Sequence, residues 1–225
     1  MEVAILIFDR LTALDAIGPY EVLRSVPGSK IKFVSQTTGP KRTDAGSLAL
    51  VADYALGDVP SPDVIVIPGG PGQIALMKDE PVLEWIRHAH ATSRWTTSVC
   101  TGSLVLGAAG LLQGLKATTH WLALDVLKSL GAQPVSERVV IEGKIITAAG
   151  VSAGIDMALT LVAREAGEAA AQAIQLGIEY DPQPPFDAGS PTKAPIDVVN
   201  LLRSRSRFIM EGKPLEEASS KGGSS

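Results

Sequence analysis

The stretch TTSVCTGSL, residues 96–104, decides the fold that this sequence predicts. Its first half, Thr96–Cys100, contains β-branched residues typical of a strand, whereas the residues after Cys100 favour a helix. A strand turns into a helix this sharply only when the flanking side chains are small, and Ser98 and Gly102 stand two residues before and after Cys100. We therefore expect the Cys100 side chain at the apex of a strained turn, exposed above the carboxyl edge of a sheet.

Other short apolar runs alternate along the chain with segments of helix length. Strands are predicted at Val3–Phe8, Ile31–Val34 and Val64–Ile67, and a hairpin that turns at Glu142-Gly143 is predicted at Val139–Ile141 and Lys144–Ala148. Helices are predicted at Ile17–Val26, Pro81–Thr92, Ser103–Leu112, Trp121–Leu130, Ala153–Ala166 and Glu168–Leu176. Nearly continuous apolar strands that alternate with helices are typical of a parallel sheet covered on both faces. The sequence therefore predicts an α/β fold, a single-domain three-layer sandwich with a mostly parallel sheet.

The chain length and a late change of composition set the expected domain organisation. The 225 residues suffice for one full-sized domain. Five prolines lie between Asp181 and Pro195, which is typical of an extended arm, and the chain ends in a Ser- and Gly-rich segment. We expect a catalytic domain over residues 1–180, a Pro-rich arm with a helix at Ile196–Met210 over residues 181–217, and a disordered tail over residues 218–225.

The composition argues against several classes of protein. Lys and Arg total 20 against 24 for Asp and Glu, a formal net charge of −4, and the absence of a basic block argues against a nucleic-acid-binding module. The single cysteine excludes an internal disulfide and a Cys-rich zinc site. No apolar run approaches the roughly 18–20 residues that span a bilayer, and Met1-Glu2 lacks the basic character of a signal peptide. We expect a cytoplasmic protein that binds neither nucleic acid nor membranes.

Cys100 has two interpretations. At a helix N-terminus the partial positive charge of the helix lowers the pKa of a thiol, which would make Cys100 a reactive thiolate. Alternatively, a lone cysteine in so apolar a chain is a buried core residue. The spacing of the turn favours the catalytic interpretation.

A glycine-rich turn follows the strand at Val64–Ile67. In Pro68-Gly69-Gly70-Pro71-Gly72 the glycines let the backbone approach a ligand closely. We expect the N–H groups of Gly70 and Thr101 to lie together near the thiol as an oxyanion hole. The alternative is a simple turn, and a phosphate-binding loop is disfavoured because no Lys-Ser or Lys-Thr pair follows.

The three histidines differ in their expected positions. His120 falls at the end of a short strand on the carboxyl edge, where it either approaches Cys100 or is a hydrogen-bonded edge histidine. His88 and His90 lie on the helix predicted at Pro81–Thr92, and we interpret both as part of a solvated face. Two residues apart on a helix, they point about 200° away from each other and do not chelate one metal.

Asp15 is the acidic candidate for acid–base chemistry. It precedes the first predicted helix, again on the carboxyl edge of the sheet, although an aspartate in this position is also a common helix N-cap. Glu21 is expected to face solvent, and Asp156 to interact favourably with the N-terminus of its own helix.

Taken together, these motifs resemble the ThiJ/PfpI superfamily. The resemblance covers roughly residues 1–180 and rests on five stretches: Leu14-Asp15-Ala16-Ile17-Gly18-Pro19, Ile67-Pro68-Gly69-Gly70, Cys100-Thr101-Gly102, Thr119-His120-Trp121, and Ala149-Gly150-Val151-Ser152-Ala153-Gly154-Ile155-Asp156. It implies a glutamine amidotransferase-like (flavodoxin-like) sandwich with the cysteine as nucleophile. Members usually form homodimers, so a homodimer is expected here.

Two positions guide the choice of subfamily. Proteases, glyoxalases and deglycases of the superfamily usually carry a glutamate in the first helix region, and the protease-like members a histidine after the cysteine. Here the residues are Asp15 and Thr101, a combination similar to the isonitrile hydratases and to the N-terminal domains of AraC-type regulators. The regulators append a DNA-binding domain of about a hundred residues, for which the roughly 45 residues after position 180 leave no room.

The resemblance to isonitrile hydratases implies a hydro-lyase that converts a small-molecule isonitrile to an N-substituted formamide without a metal or organic cofactor. Its catalytic residues would be Cys100, Asp15 and Thr101, and its substrate-binding or oxyanion residues would be Gly69, Gly70 and His120. Two alternatives stay open: a glyoxalase- or deglycase-like enzyme that uses the same cysteine, and a non-catalytic cysteine redox sensor related to the regulator domains.

Overall fold

The structure, a computed structural model, describes residues 1–204. Two compact units divide the chain, Met1–Pro182 and Gln183–Ser225. In the second unit, the helix predicted at Ile196–Met210 is present as Ile196–Ser204, and the rest of that prediction lies outside the described residues, as does the predicted tail.

Eleven strands are present in the described residues. They are β1 (Glu2–Leu6), β2 (Lys30–Ser35), β3 (Gly39–Arg42), β4 (Ala49–Ala52), β5 (Tyr54–Ala55), β6 (Val64–Ile67), β7 (Trp95–Val99), β8 (Lys116–Ala117), β9 (Gln133–Pro134), β10 (Val139–Glu142) and β11 (Ile145–Ala148). Seven of them form the main sheet, in the order β10-β11-β7-β6-β1-β2-β5. Only the β10–β11 hairpin is antiparallel in this sheet, and the other five pairings are parallel. The predicted mostly parallel sheet is therefore confirmed.

Eight α-helices accompany the strands in the described residues. They are α1 (Ala13–Leu23), α2 (Gln73–Leu76), α3 (Glu80–Thr92), α4 (Gly102–Ala108), α5 (Leu124–Ser129), α6 (Ala153–Ala166), α7 (Glu168–Gly177) and α8 (Ile196–Ser204). Helix α6 packs against both α1 and α7, and α2 to α5 form a second packed group. Helices α1 to α7 flank the sheet in the first unit and complete the predicted three-layer sandwich.

The core is aliphatic, as the low aromatic content predicts. Strands β1 and β6 lie at the centre of the sheet, and every residue of β6 is buried. In a parallel sheet covered on both sides, residues that point to either face are removed from water, which is why these strands are continuously apolar instead of alternating. The consequence is a rigid platform beneath the loops at the carboxyl edge.

Some elements differ from the sequence prediction. The hairpin of β3 and β4 and the strand β9 were not predicted, because their segments are short and partly exposed and lack a strong periodic pattern. The short strand expected before His120 is present as β8, but it pairs with β9 in a separate two-stranded sheet and not in the main sheet. The helix predicted at Trp121–Leu130 is divided into a 3₁₀ turn at Trp121–Ala123 and α5.

Parallel strands bring several connecting loops to one edge of the sheet. The loops after β1, β6, β7 and β11 all leave from the carboxyl ends of neighbouring strands. The last three loops carry Gly69, Cys100 and Val151, and the loop after β1 leads into α1, whose third residue is Asp15. Residues from four distant parts of the sequence therefore meet at this edge, as expected for an open α/β sheet.

Candidate active site

The turn at Cys100 lies between β7 and α4, and its backbone is strained. Cys100 has a φ of 56°, a left-handed conformation that non-glycine residues seldom adopt. Its N–H donates to the carbonyl oxygens of Ala148 (3.1 Å) and Ala149 (3.0 Å). Its own carbonyl oxygen accepts hydrogen bonds from the hydroxyls of Thr119 (2.9 Å) and Ser103 (3.2 Å). These four hydrogen bonds hold the strained residue in place, and the predicted strained turn is confirmed.

Close backbone packing explains the glycines around the turn. A Cβ atom on Gly102 would lie 2.0 Å from the carbonyl oxygen of Ile67, at the end of the neighbouring strand β6. A Cβ atom on Gly69 would lie 2.5 Å from the backbone nitrogen of Thr101. The glycine-rich turn after β6 and the turn at Cys100 thus touch through their backbones, which places the N–H groups of one loop against the side chains of the other.

Asp15 is fully buried at this contact. It is the third residue of α1, whereas Thr12 holds the N-cap position, so the N-cap interpretation of Asp15 is wrong. Its Oδ2 accepts a hydrogen bond from the Gly69 N–H (2.9 Å), and the Cys100 thiol interacts with the same carboxyl group. Burial raises the pKa of Asp15 from 3.8 to about 7, against the opposing effect of the Gly69 hydrogen bond. The carboxyl group therefore titrates near neutral pH.

The Cys100 thiol is also removed from water, so the expected exposure of its side chain is wrong. The residue is 5% exposed, and burial, reinforced by the negative charge of Asp15, raises the pKa of the thiol well above its usual range. The N–H groups of Val151 and Thr101 point to the sulfur and lower its pKa, but by less than burial raises it. The expectation of a thiolate stabilised by the helix N-terminus is wrong. Helix α4 has only seven residues, and loss of water outweighs its dipole.

Thr101 links the two loops through its side chain. The Gly70 N–H donates to Thr101 Oγ1 (3.0 Å), and Thr101 is itself almost completely buried. The expectation that the Gly70 and Thr101 N–H groups lie together at the thiol is therefore wrong for Gly70. Gly70 N–H is engaged by a hydroxyl, Gly69 N–H by Asp15, and the second N–H on the sulfur comes from Val151.

Val151 is the site residue that the sequence analysis missed. It lies in the loop between β11 and α6 and has a φ of 35°, which is strained for a β-branched residue. The available signal was the small-residue stretch Ala149–Gly154 after a predicted strand, which was noticed only as part of the resemblance. Nothing in a valine side chain indicates that its backbone N–H is aimed at a sulfur atom.

His120 has a structural role in the site region. Its Nδ1 accepts a hydrogen bond from the Leu122 N–H (3.3 Å) and caps the 3₁₀ turn, which agrees with the edge-histidine interpretation. Burial lowers its pKa. Its ring packs so closely on Gly150 that a Cβ there would lie 2.8 Å from His120 Cδ2. His120 therefore supports the loop that carries Val151.

Comparisons with known proteins agree with this geometry. The model of the DJ-1/PfpI family matches residues 1–164, which is most of the chain. The chain belongs to the DJ-1/PfpI family. Its sequence is 48% identical over 205 residues to an isonitrile hydratase of Pseudomonas putida, which covers 91% of this chain and 90% of the relative.

Two further DJ-1/PfpI relatives show the breadth of the family. The crystal structure of a ThiJ/PfpI family protein from Pseudomonas syringae superposes with a TM-score of 0.90 at 39% identity, over 93% of this chain and 87% of that one. A glutathione-independent glyoxalase of Caenorhabditis elegans is 28% identical over 60% of this chain and 73% of its own length. These relatives therefore include more than one activity, and family membership alone does not assign one of them to this chain.

The remaining polar candidates lie outside the group of site residues. His88 is exposed as expected, but His90 is half-buried and hydrogen-bonds to Thr96 Oγ1 (2.8 Å), so its assignment to a solvated face is wrong. Glu21 is exposed and pairs with Arg24 at 2.6 Å. Asp156 forms an ion pair with Arg138, which directly precedes β10.

Residues 1–204 contain neither a metal-binding cluster nor a membrane-spanning helix. In that part of the chain, no group of three or more His, Cys, Asp and Glu side chains is arranged to hold a metal ion. No helix there combines the length and the apolar character needed to cross a bilayer.

The raised pKa of Asp15 predicts a pH-dependent cost to stability. The unfolded chain loses the Asp15 proton near pH 3.8 and the folded protein near pH 7, so ionisation favours unfolding between these values. The Asp15→Asn variant keeps an acceptor for Gly69 but cannot ionise. The difference in the free energy of unfolding between this variant and the wild type should shift in favour of the variant by about 2–3 kcal/mol from pH 5 to pH 8. Urea unfolding at both pH values measures it, and an advantage independent of pH would contradict the burial of an ionisable carboxyl.

The contact at Gly102 predicts that a single methyl group disrupts the turn. In Gly102→Ala the new Cβ must displace the carbonyl of Ile67, and we expect a loss of about 3 kcal/mol in the free energy of unfolding. The matched control is Gly57→Ala, where nothing lies within 4 Å of the added Cβ. Denaturant unfolding of both variants is the measurement, and equal stabilities would contradict the close packing.

Proposed function

We propose that this protein is an isonitrile hydratase that acts through Cys100 and Asp15. The observation that supports it best is the direct interaction of a buried thiol with a carboxyl group whose pKa burial raises to about 7. Hydration of an isonitrile needs a nucleophile and a proton donor at the same carbon atom. The 48% identity to the isonitrile hydratase of Pseudomonas putida supports the same reaction class.

The first step uses the pair as a unit. A thiol beside a carboxylate and a thiolate beside a carboxylic acid hold the same single proton, so nucleophile formation requires only its transfer from sulfur to Asp15. The Cys100 sulfur then bonds to the terminal carbon of the isonitrile while Asp15 gives the proton to that carbon. The carbon–nitrogen triple bond becomes a double bond, and the product is a thioimidate beside an Asp15 carboxylate.

The second step consumes water. Asp15 takes a proton from a water molecule as the water oxygen bonds to the thioimidate carbon, and that proton passes to the nitrogen. The remaining hydroxyl proton returns to the Cys100–Asp15 pair as the carbon–sulfur bond breaks. An N-substituted formamide leaves. Thr101 Oγ1, which accepts from the Gly70 N–H, retains its own hydroxyl proton to orient the water.

The burial of the site favours a narrow substrate. With Cys100 only 5% exposed, an electrophile must reach the sulfur end-on, and the terminal carbon of an isonitrile carries no substituent. Deglycation of a protein side chain would require a far more open cleft. A glyoxalase-like reaction on a small aldehyde remains the second candidate, because a glyoxalase is among the relatives.

The buried thiol also argues against the redox-sensor alternative. Oxidation to sulfenic acid proceeds through the thiolate and needs access to peroxide. Burial disfavours both the formation of the Cys100 thiolate and the access of peroxide to its sulfur.

Several further properties belong to this proposal. We propose a catalytic unit formed by residues 1–180, a cytoplasmic location, a homodimer and a reaction that needs no metal or organic cofactor. Gly69, Gly70 and His120 act in it through the backbone and loop contacts described above rather than as acids or bases.

Removal of either partner of the pair should abolish turnover. Cys100→Ala loses the nucleophile, and Asp15→Asn loses the group that takes up the thiol proton, so each should lower kcat for an alkyl isonitrile such as cyclohexyl isonitrile by at least about 1,000-fold. Formamide release is the measured product. The matched control is Glu21→Gln, which changes an exposed carboxylate on the same helix as Asp15 and should leave kcat unchanged.

Methylglyoxal assayed beside the isonitrile separates the two candidate activities. Efficient turnover of methylglyoxal with none of the isonitrile would favour the glyoxalase-like function. Wild-type kcat on the isonitrile in Cys100→Ala or Asp15→Asn would refute the mechanism.

The pH profile of kcat/KM should report the loss of the first proton from the Cys100–Asp15 pair. Below pH 7 both Asp15 and Cys100 are protonated, and no proton transfer to Asp15 is possible, so kcat/KM for the isonitrile should rise through a pKa of about 7 and stay level up to pH 9. Initial rates between pH 5 and pH 9 measure this. A flat profile, or a fall above pH 7, would show that the pair does not react with a single shared proton.

A further inference from the structure

A cluster of polar side chains surrounds the loop that carries Val151. The guanidinium group of Arg138 donates from Nε (2.9 Å) and Nη2 (2.5 Å) to Asp156 Oδ2. The Tyr180 hydroxyl donates to the same oxygen (2.9 Å), and Arg138 Nη2 also lies 3.3 Å from the Tyr180 oxygen and 3.4 Å from Ser152 Oγ. We call Arg138, Ser152, Asp156 and Tyr180 the Asp156 cluster.

The Asp156 cluster joins parts of the chain that are distant in sequence. Arg138 directly precedes β10, Ser152 ends the loop, Asp156 lies in the first turn of α6, and Tyr180 follows α7. The backbone takes part as well, because the Ala149 N–H donates to the Arg138 carbonyl oxygen (2.9 Å). Both ends of the loop, residues 149–152, are therefore tied to Arg138, by its backbone at one end and by its side chain at the other.

The loop needs such restraint because its backbone is strained. Val151 has a φ of 35°, and such a conformation at a β-branched residue persists only where neighbouring contacts fix it. From the other side, the His120 ring packs on Gly150, where it leaves no room even for a Cβ atom. Relaxation of Val151 to a negative φ would turn the peptide group whose N–H points to the Cys100 sulfur.

We propose that the Asp156 cluster is a positioning device that holds the Val151 N–H on the Cys100 sulfur. It touches neither substrate nor sulfur and acts through the loop. The catalytic part of this proposal, in which the Val151 N–H assists the reaction at Cys100, rests on the proposed function. The N–H stabilises negative charge on sulfur when the thiol loses its proton to Asp15, which is the group that faces the sulfur, and again when the thioimidate collapses.

The exposure of the cluster makes it testable without loss of the fold. The side chains of Arg138 and Asp156 are 49% and 33% exposed, so their ion pair contributes little to global stability. The chain offers a matched pair at the C-terminal end of α1: the side chains of Arg24 and Glu21 are 49% and 44% exposed and are also joined by a hydrogen-bonded ion pair. Arg24→Gln is thus the control for Arg138→Gln.

The direct test is amide hydrogen exchange at Val151, followed by NMR on the full chain. In Arg138→Gln we expect exchange of the Val151 amide at least about tenfold faster than in the wild type, whereas the amides of β11 keep their rates. Tyr180→Phe, which removes one hydrogen bond to Asp156, should change the same amide in the same direction by a smaller factor. Arg24→Gln should leave it unchanged.

The kinetic test uses the isonitrile. Arg138→Gln should lower kcat about tenfold with little change in KM, because the N–H acts on charge that develops during reaction. An unchanged Val151 amide in both cluster variants would overturn the proposal, as would faster exchange throughout the fold in place of a local change. If wild type does not hydrate isonitriles but Val151 responds as expected, the proposed function fails and the positioning role stands.

Discussion

A thiol and a carboxyl group that share the dry edge of a parallel sheet set the properties of this protein. Water would stabilise the anionic form of either group, and the fold excludes water from both groups. The result is not a preformed thiolate. Burial raises the pKa of Asp15 to about 7 and that of Cys100 well above its usual range, so the second proton is released only with great difficulty. In the proposed mechanism, reactivity therefore depends on whether the single proton of the pair lies on Cys100 or on Asp15.

The sheet supplies the rigidity that this arrangement needs. Cys100 and Val151 both have left-handed backbones, and each is fixed by contacts from adjacent strands or loops. Backbone contacts at Gly69 and Gly102 leave no room for a side chain. A continuously buried aliphatic core below the carboxyl edge offsets the cost of strain and of a buried acid, because neither is large beside the free energy of burying the central strands.

Sequence alone predicted the parts of the protein that depend on strong local patterns. The parallel sheet, the helix at Ala153–Ala166 and the turn at Cys100 follow from apolar runs and from small residues at fixed spacing, and all three are present. The hairpin of β3 and β4 has no such pattern and was missed. Family resemblance, more than residue spacing, pointed to the pairing of Asp15 with Cys100, because a contact across 85 residues leaves no local signal.

The electrostatic state of the site was the least predictable property. A helix N-terminus next to a cysteine suggests a lowered thiol pKa, and that inference considers only one of the forces on the sulfur. Burial depends on the packing of the whole domain, which residue spacing does not report. His90 illustrates the same limit, since its hydrogen-bond partner Thr96 lies outside the helix, on β7.

The geometry of the pair bears on the choice between the candidate reactions. Attack on a carbonyl compound places the nucleophile on carbon and the proton on oxygen, so donor and nucleophile work best when they face the two ends of a bond. An isonitrile receives both the sulfur and the proton on one carbon atom. The Cys100 thiol interacts with the Asp15 carboxyl group, so the nucleophile and the proton donor of the proposed mechanism lie side by side. The arrangement therefore suits addition at one atom better than addition across a double bond, and the narrow access to the sulfur favours the same substrate class.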